Sequence, residues 1–330
     1  MNKLNRRDFF APVVAASFGL TFLTRANASP QNVLRKRVGI IGLDTSHAVA
    51  FTKSLLRGDA AFKGYKVVAA YPQGSLDIVS STERIPGYTE EVKKMGVEIV
   101  NSIEELLGKV DVVLLETNDG RRHLEQAMQV FKSGKRTFID KPIAASLKDA
   151  KEIFTAAEKY NVPVFSSSSL RFAKRMSEIK NGSLGKVQGA DTYSPMKFEK
   201  THPDLYWYGI HGVEMLFTVM GTGCESVQRT IGIDQEVFTA KWKDGRIGTF
   251  RGIKNGKQDY GGTAFGEKGI STLGPYSGYD PLLIEIINFF ETGISPVDKE
   301  ETLEICAFIE ASDLSKKRNG QVVSLKKAGL

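Results

Sequence analysis

Two short stretches carry residues suited to proton chemistry. Arg136-Thr137-Phe138-Ile139-Asp140-Lys141-Pro142 reads as a buried strand that ends in Asp-Lys-Pro. In open α/β sheets ligands sit beyond the carboxyl ends of strands. A lysine there puts its ammonium in a crevice, where desolvation lowers its pKa towards that of a useful acid or base. A solvated strand-end lysine is the plainer alternative. The second stretch is Tyr206-Trp207-Tyr208-Gly209-Ile210-His211-Gly212-Val213-Glu214. Histidine is scarce, with only His47, His123, His202 and His211. His211 and Glu214 are three apart and share one helix face. Tyr206, Trp207 and Tyr208 suit an aromatic wall of the kind that stacks on sugar rings. The plainer alternative is a histidine packed among core aromatics.

A third stretch, Val38-Gly39-Ile40-Ile41-Gly42-Leu43-Asp44-Thr45-Ser46-His47-Ala48-Val49-Ala50-Phe51, has the form of a strand, a tight turn and a helix start. A dinucleotide fingerprint has Gly-x-Gly-x-x-Gly there. Aligned from Gly42, only the first glycine is present, with Asp44 and His47 at the other two positions. Two like charges about 4 Å apart repel by roughly 4 kcal/mol at a surface-like dielectric. Asp44 is therefore expected to turn away from any phosphate and cap the helix beginning near Ser46. Thr45, Ser46 and the helix N-terminus remain able to hold a phosphate, and His47 faces the cofactor.

The elements that must position these residues alternate regularly. Strands are expected over residues 37–43, 65–71, 97–100, 111–116, 135–140 and 162–166. Helices are expected over 46–57, 88–95, from 102, and over 121–133 and 146–160. The helix at Ser102 opens with a Ser-x-x-Glu capping box. Buried strands alternating with helices imply a doubly wound parallel sheet. The second half differs. Extended segments at 186–193, 226–233, 236–243 and 246–253 suggest an antiparallel sheet, with helices near 209–220, 281–291 and 299–317. The fold class is thus α/β: a Rossmann-like parallel sheet over residues 37–165, then an α/β domain with an open antiparallel sheet over 166–330.

The remaining features bound the function. Of the net charge of +7, the first 28 residues carry +3. No basic run interleaved with aromatics gives a nucleic-acid footprint. Asn5-Arg6-Arg7-Asp8-Phe9-Phe10, the apolar stretch 11–23 and Ala26-Asn27-Ala28 read as a twin-arginine signal with a cleavage site, followed by a linker over 29–36. The expected location is the periplasm. The apolar run is too short for stable membrane insertion. Cys224 and Cys306, each in an apolar context, read as buried free thiols; no spacing suggests a metal site, and no metal is expected.

An ordered set of motifs makes the chain resemble the glucose–fructose oxidoreductase and inositol dehydrogenase (Gfo/Idh/MocA) family. These are Val38 to Gly42, Asp111-Val112-Val113 leading to Thr117-Asn118 and His123, Gly134-Lys135 before Asp140-Lys141-Pro142, Arg171-Phe172, Gly182 to Val187, Gly209 to Glu214, and Asp280-Pro281-Leu282. The resemblance implies NAD or NADP as cofactor, a sugar, glycoside or polyol as substrate, and oligomerisation through the C-terminal sheet. It places the family's catalytic lysine on Lys141 and its histidine on His211. Arg171, Tyr206, Trp207, Tyr208 and Glu214 are expected at the substrate. Gly42, Asp44, Thr45, Ser46, His47, Tyr71, Thr117, Asn118, His123, Asp140 and Lys141 are expected at the cofactor. Many members carry an aspartate four residues before the histidine. Trp207 stands there, so Tyr208 or Glu214 is the candidate partner for His211. Two other readings are a non-catalytic carbohydrate-binding relative and a non-redox lyase or hydratase acting on an oxidised sugar.

Overall fold

The computed structural model describes residues 36–330. The twin-arginine segment and most of the linker lie outside the described residues. The first sheet is built by β1 (Arg37–Ile41), α1 (Ser46–Arg57), β2 (Lys66–Tyr71), α2 (Val79–Thr82), α3 (Ile85–Lys94), β3 (Glu98–Ile99), α4 (Ile103–Lys109), β4 (Val112–Leu115), α5 (His123–Lys132), β5 (Thr137–Asp140), α6 (Leu147–Lys159) and β6 (Val164–Ser167). Its strand order is β3-β2-β1-β4-β5-β6, every pair parallel. This is the Rossmann-like sheet. The strands of β4 are buried on both faces because helices cover each side. Ser102 caps α4: its hydroxyl accepts from the Glu105 N–H at 3.0 Å, while the Glu105 carboxylate reaches back to the Asn101 N–H at 3.0 Å, one residue before the box position.

The chain then makes α7 (Lys174–Lys180), β7 (Val187–Pro195), a π-helical turn (Leu205–Gly209), α8 (Ile210–Met220), β8 (Cys224–Ile231), β9 (Gln235–Trp242), β10 (Ile247–Ile253), β11 (Gly261–Gly266), β12 (Gly269–Thr272), α9 (Asp280–Thr292), α10 (Lys299–Lys317) and β13 (Val323–Ser324). The second sheet runs β12-β11-β7-β10-β9-β8-β13. It is mostly antiparallel, but β7 and β10 pair in parallel, against the sequence expectation. The reason is the crossover: α8, β8 and β9 intervene, so β10 enters beside β7 in the same direction. Cys224 and Cys306 are free and buried, as expected.

Two details set the site. Gly212 lets α8 lie directly on β10, since a Cβ there would come within 2.1 Å of the Phe250 ring. Helix α9 returns to the parallel sheet, although the sequence places it late in the chain. Its Phe289 ring stands 4.8 Å from that of Phe165, and Asp280 accepts from Ser54 Oγ at 2.6 Å. The loop before α9 is thereby laid over the start of α1. Among the described residues, no helix is long and apolar enough to cross a membrane.

The turn after β1 needs Gly42. Its φ is +90°, and a Cβ would lie 2.6 Å from the Thr117 backbone. Gly58, with φ +72°, faces open space. Gly42→Ala is expected to cost about 2–4 kcal/mol from strain plus overlap, and Gly58→Ala about 1 kcal/mol. Urea melts of the two variants check this. Equal losses would show that the Thr117 contact carries no weight.

Candidate functional site

The carboxyl ends of β1, β4, β5 and β6 open on a cavity of about 420 Å³. One wall holds Thr45, Ser46, His47, Asn118 and Lys141, the other Trp207, Tyr208, His211, Tyr260, Tyr276 and Tyr279. That size and the mix of aromatic and polar lining suit a small-molecule site. Lys141 and His211, far apart in sequence, meet here, and both are buried. Helix α1 points its N-terminus at the cavity. Its N-cap is Thr45, whose hydroxyl accepts from the His47 N–H at 3.5 Å.

Asp44 is not the cap, which corrects the sequence expectation. Its carboxylate is fully buried and accepts from the Ser75 N–H at 2.7 Å, the Ser75 hydroxyl at 2.6 Å and the Asn118 N–H at 3.0 Å. Three donors on two other loops outbid the N-terminus of its own helix. Asp44 does turn away from the helix N-terminus, into the seam between the loops after β2 and β4. It lies against Gly74, where a Cβ would come within 2.5 Å of its carboxylate. On the other side of Gly74 is a second hollow of about 410 Å³, lined by Tyr71, Gln73, Asn101, Arg122 and Gln126 among others.

Behind His211 lies a buried relay. Ser168 Oγ and His211 Nδ1 are 2.7 Å apart. The Ser168 N–H donates to Glu214 Oε2 at 2.9 Å. Arg171 pairs with Glu214 at 3.3 Å and with Glu301. Burial, reinforced by Lys141, holds the His211 imidazole well below its ordinary pKa, so it is neutral near pH 7. Burial raises the Glu214 carboxyl, with Arg171 opposing. The partner of His211 is therefore Ser168, not Tyr208 or Glu214. Tyr208 meets the imidazole edge-on, with ring centres 5.4 Å apart.

Several expected ligand contacts are corrected by packing. Arg171 and Glu214 do not line the cavity, because each neutralises the other beneath it. Tyr206 is fully buried on the far side of the π-helical turn, its hydroxyl directed to the Cys306 carbonyl at 3.4 Å. Only Trp207 and Tyr208 of that aromatic trio reach the cavity. His123 is also internal. Its ring nitrogens meet the carbonyls of Thr117 at 2.7 Å and Ile143 at 3.1 Å, so it ties two loops together. Thr117 is buried against Gly42. Tyr71 lines the second hollow and not the cavity of Lys141 and His211.

Next to Lys141 stand His47, Glu116 and Asp140, all buried. The Lys141 N–H donates to Asp140 Oδ1 at 2.8 Å. Burial opposes ionisation of Asp140, yet His47 and Lys141 bring its carboxyl below the usual range. Burial, with Asp140 beside it, pushes the Glu116 carboxyl well above its usual range. Sequence reading missed Glu116, Ser168, Tyr260, Tyr276 and Tyr279. An acidic residue ending an apolar strand was a usable signal for Glu116. The serine run 166–169 held none for Ser168.

Residues 36–168 match the Gfo/Idh/MocA family model, an oxidoreductase family with an NAD-binding Rossmann fold. The chain is 35% identical over 96 residues to a 1,5-anhydro-D-fructose reductase of Ensifer adhaerens, covering 28% of each protein. It is 26% identical over 160 residues to an uncharacterized oxidoreductase of Streptococcus pneumoniae, covering 42% of each. The matched stretches thus span less than half of these relatives. Solved structures share the fold over most of the chain. A probable dehydrogenase from Thermotoga maritima superposes with a TM-score of 0.72 at 20% identity, over 88% of this chain and 99% of that one. The scyllo-inositol dehydrogenase of Lactobacillus casei, solved with NAD(H) and scyllo-inositol, gives 0.69 at 14% identity, over 88% and 99%.

Asp44→Ala is expected to destabilise by about 2–4 kcal/mol, because it orphans buried donors on two loops. Asp44→Asn, which keeps an acceptor, is expected to lose less. Chemical denaturation distinguishes them. A neutral effect of both would show that the seam does not depend on this carboxylate.

Proposed function

We propose that this chain is an oxidoreductase of the Gfo/Idh/MocA family that uses NAD or NADP to oxidise or reduce a sugar, glycoside or polyol. The observation that carries the reading is the meeting of buried Lys141 and neutral His211 in one cavity at the carboxyl end of a Rossmann-like sheet. The matching family model and the dehydrogenase neighbours support it.

The residues fit a dinucleotide at the turn. Gly42 supplies the tight bend, Thr45, Ser46 and the N-terminus of α1 face the cavity, and Asp44 directs its charge elsewhere. Tyr71 and Gln73 stand ready at the second hollow for the nucleoside end. When bound, the nicotinamide supplies the acceptor or donor of hydride. The protein supplies the proton chemistry. With its Nδ1–H donated to Ser168 Oγ, His211 presents Nε2 as the basic nitrogen and takes the substrate hydroxyl proton. Lys141 orients that hydroxyl and stabilises negative charge developing on its oxygen. Trp207 and Tyr208 offer flat apolar faces to a sugar ring. The relay of Ser168, Glu214 and Arg171 holds the imidazole in place.

In this reading the signal segment takes the protein to the periplasm. Free nicotinamide is not dependably supplied there, so the cofactor is retained and recycled within the site. Denaturing the purified full chain should release nicotinamide. No release, together with no thermal shift on adding NAD(H) or NADP(H), would overturn the proposal. Turnover without any nicotinamide would point instead to lyase or hydratase chemistry by Lys141 and His211. His211→Asn is expected to lower kcat by about 10²–10⁴-fold and Ser168→Ala by about tenfold. Because burial depresses the imidazole pKa, activity in the oxidation direction should persist below the ordinary histidine range and fall only at more acid pH. A half-maximum at or above that range would contradict His211 as the base.

A further inference from the structure

Three neighbouring strand ends bring unlike donors to one point. His47 opens α1 just after β1, Glu116 follows β4, and Asp140 ends β5. One ligand atom from each lies within 4.8 Å of the others. His47 Nδ1 is 3.0 Å from Asp140 Oδ2 and 3.8 Å from Glu116 Oε2. The shorter approach lacks hydrogen-bond geometry. His47 Nδ1, Asp140 Oδ2 and both Glu116 oxygens are buried without a hydrogen-bond partner. Glu116, with both carboxyl oxygens unpartnered, is costly as a buried anion beside Asp140, and a cation between the two carboxylates relieves that cost. The Lys141 ammonium, the nearest candidate in sequence, makes no ion pair with either carboxylate among the described residues.

We propose that His47, Glu116 and Asp140 bind one divalent first-row transition-metal ion. One imidazole nitrogen and two carboxylates form a donor set that zinc or manganese accepts. Metal–ligand bonds of about 2.1 Å put neighbouring ligand atoms about 3.0–3.4 Å apart. The His47–Asp140 spacing of 3.0 Å already suits this. The His47–Glu116 spacing of 3.8 Å is slightly wide, and all three atoms lie within 4.8 Å, so an ion would draw Glu116 inward. His47 also lines the cavity that holds Lys141 and His211, so the site borders that cavity. An ion there can hold a substrate oxygen or a water beside both. The site does not depend on the dehydrogenase reading: its three side chains converge whether or not a nicotinamide binds.

The test uses untagged full chain purified without added metal. Elemental analysis should find about one equivalent of metal per chain, as for a preformed site that binds on folding. After chelator treatment, adding Zn²⁺ or Mn²⁺ should raise the melting temperature. Calorimetric affinity for the same ion should drop by more than about 100-fold in Glu116→Gln and in His47→Gln, since even supporting residues around a metal cost 10–100-fold. Lys141→Ala should retain metal binding. Less than about a tenth of an equivalent with no shift by either ion would overturn the site, and so would unchanged affinity in both ligand variants. If the variants fail to fold, the wild-type stoichiometry and thermal shift decide. Nicotinamide content is measured on the same sample. Metal without nicotinamide, and with no thermal shift on adding NAD(H) or NADP(H), sinks the dehydrogenase reading alone, and nicotinamide without metal or metal-induced shift sinks the metal site alone.

Discussion

The crevice depends on the Asp44 carboxylate. It stands at the end of β1 and binds donors from the loops after β2 and β4. A buried carboxylate is costly unless its oxygens are engaged. Here the engagement joins three loops, and the cavity edge takes its shape from them. The same carboxylate abuts Gly74, which lines the hollow at Tyr71, while its neighbour Thr45 lines the cavity.

A second buried charge system positions the His211 imidazole. Glu214 and Arg171 would each be expensive alone, and together they need the further partners Ser168 and Glu301. What they achieve is orientation. The glutamate holds the Ser168 backbone, and the serine hydroxyl meets the imidazole. The polar groups expected to touch a substrate thus lie beneath the cavity. The π-helical turn contributes in the same way. It rotates Tyr206 into the core while presenting Trp207 and Tyr208 to the cavity.

Much of the frame was legible in order along the chain. The alternation of apolar runs and amphipathic stretches marks the parallel sheet, because strands covered on both faces cannot be half polar. Helix α1 runs as expected from Ser46 to Arg57, with Gly58 as its left-handed cap. Short edge pieces such as β12 and β13 have too few residues for a period to show. The parallel pairing of β7 with β10 depends on a crossover, which no local pattern records.

What the sequence determines by itself is local: which segments bury apolar faces, where a turn needs glycine, and that Lys141 ends a strand while His211 opens a helix. Tertiary structure alone decides which side chains share a volume. Asp44 takes Ser75 and Asn118 over its own helix because those donors come closer and in greater number. Ser168 becomes the partner of His211 only when β6 and α8 pack together. His47, Glu116 and Asp140 converge because β1, β4 and β5 lie side by side in the sheet, although no spacing along the chain links them. Periodicity and propensity act over a few residues, whereas charge pairing and burial act across distances that only the packed sheet can set.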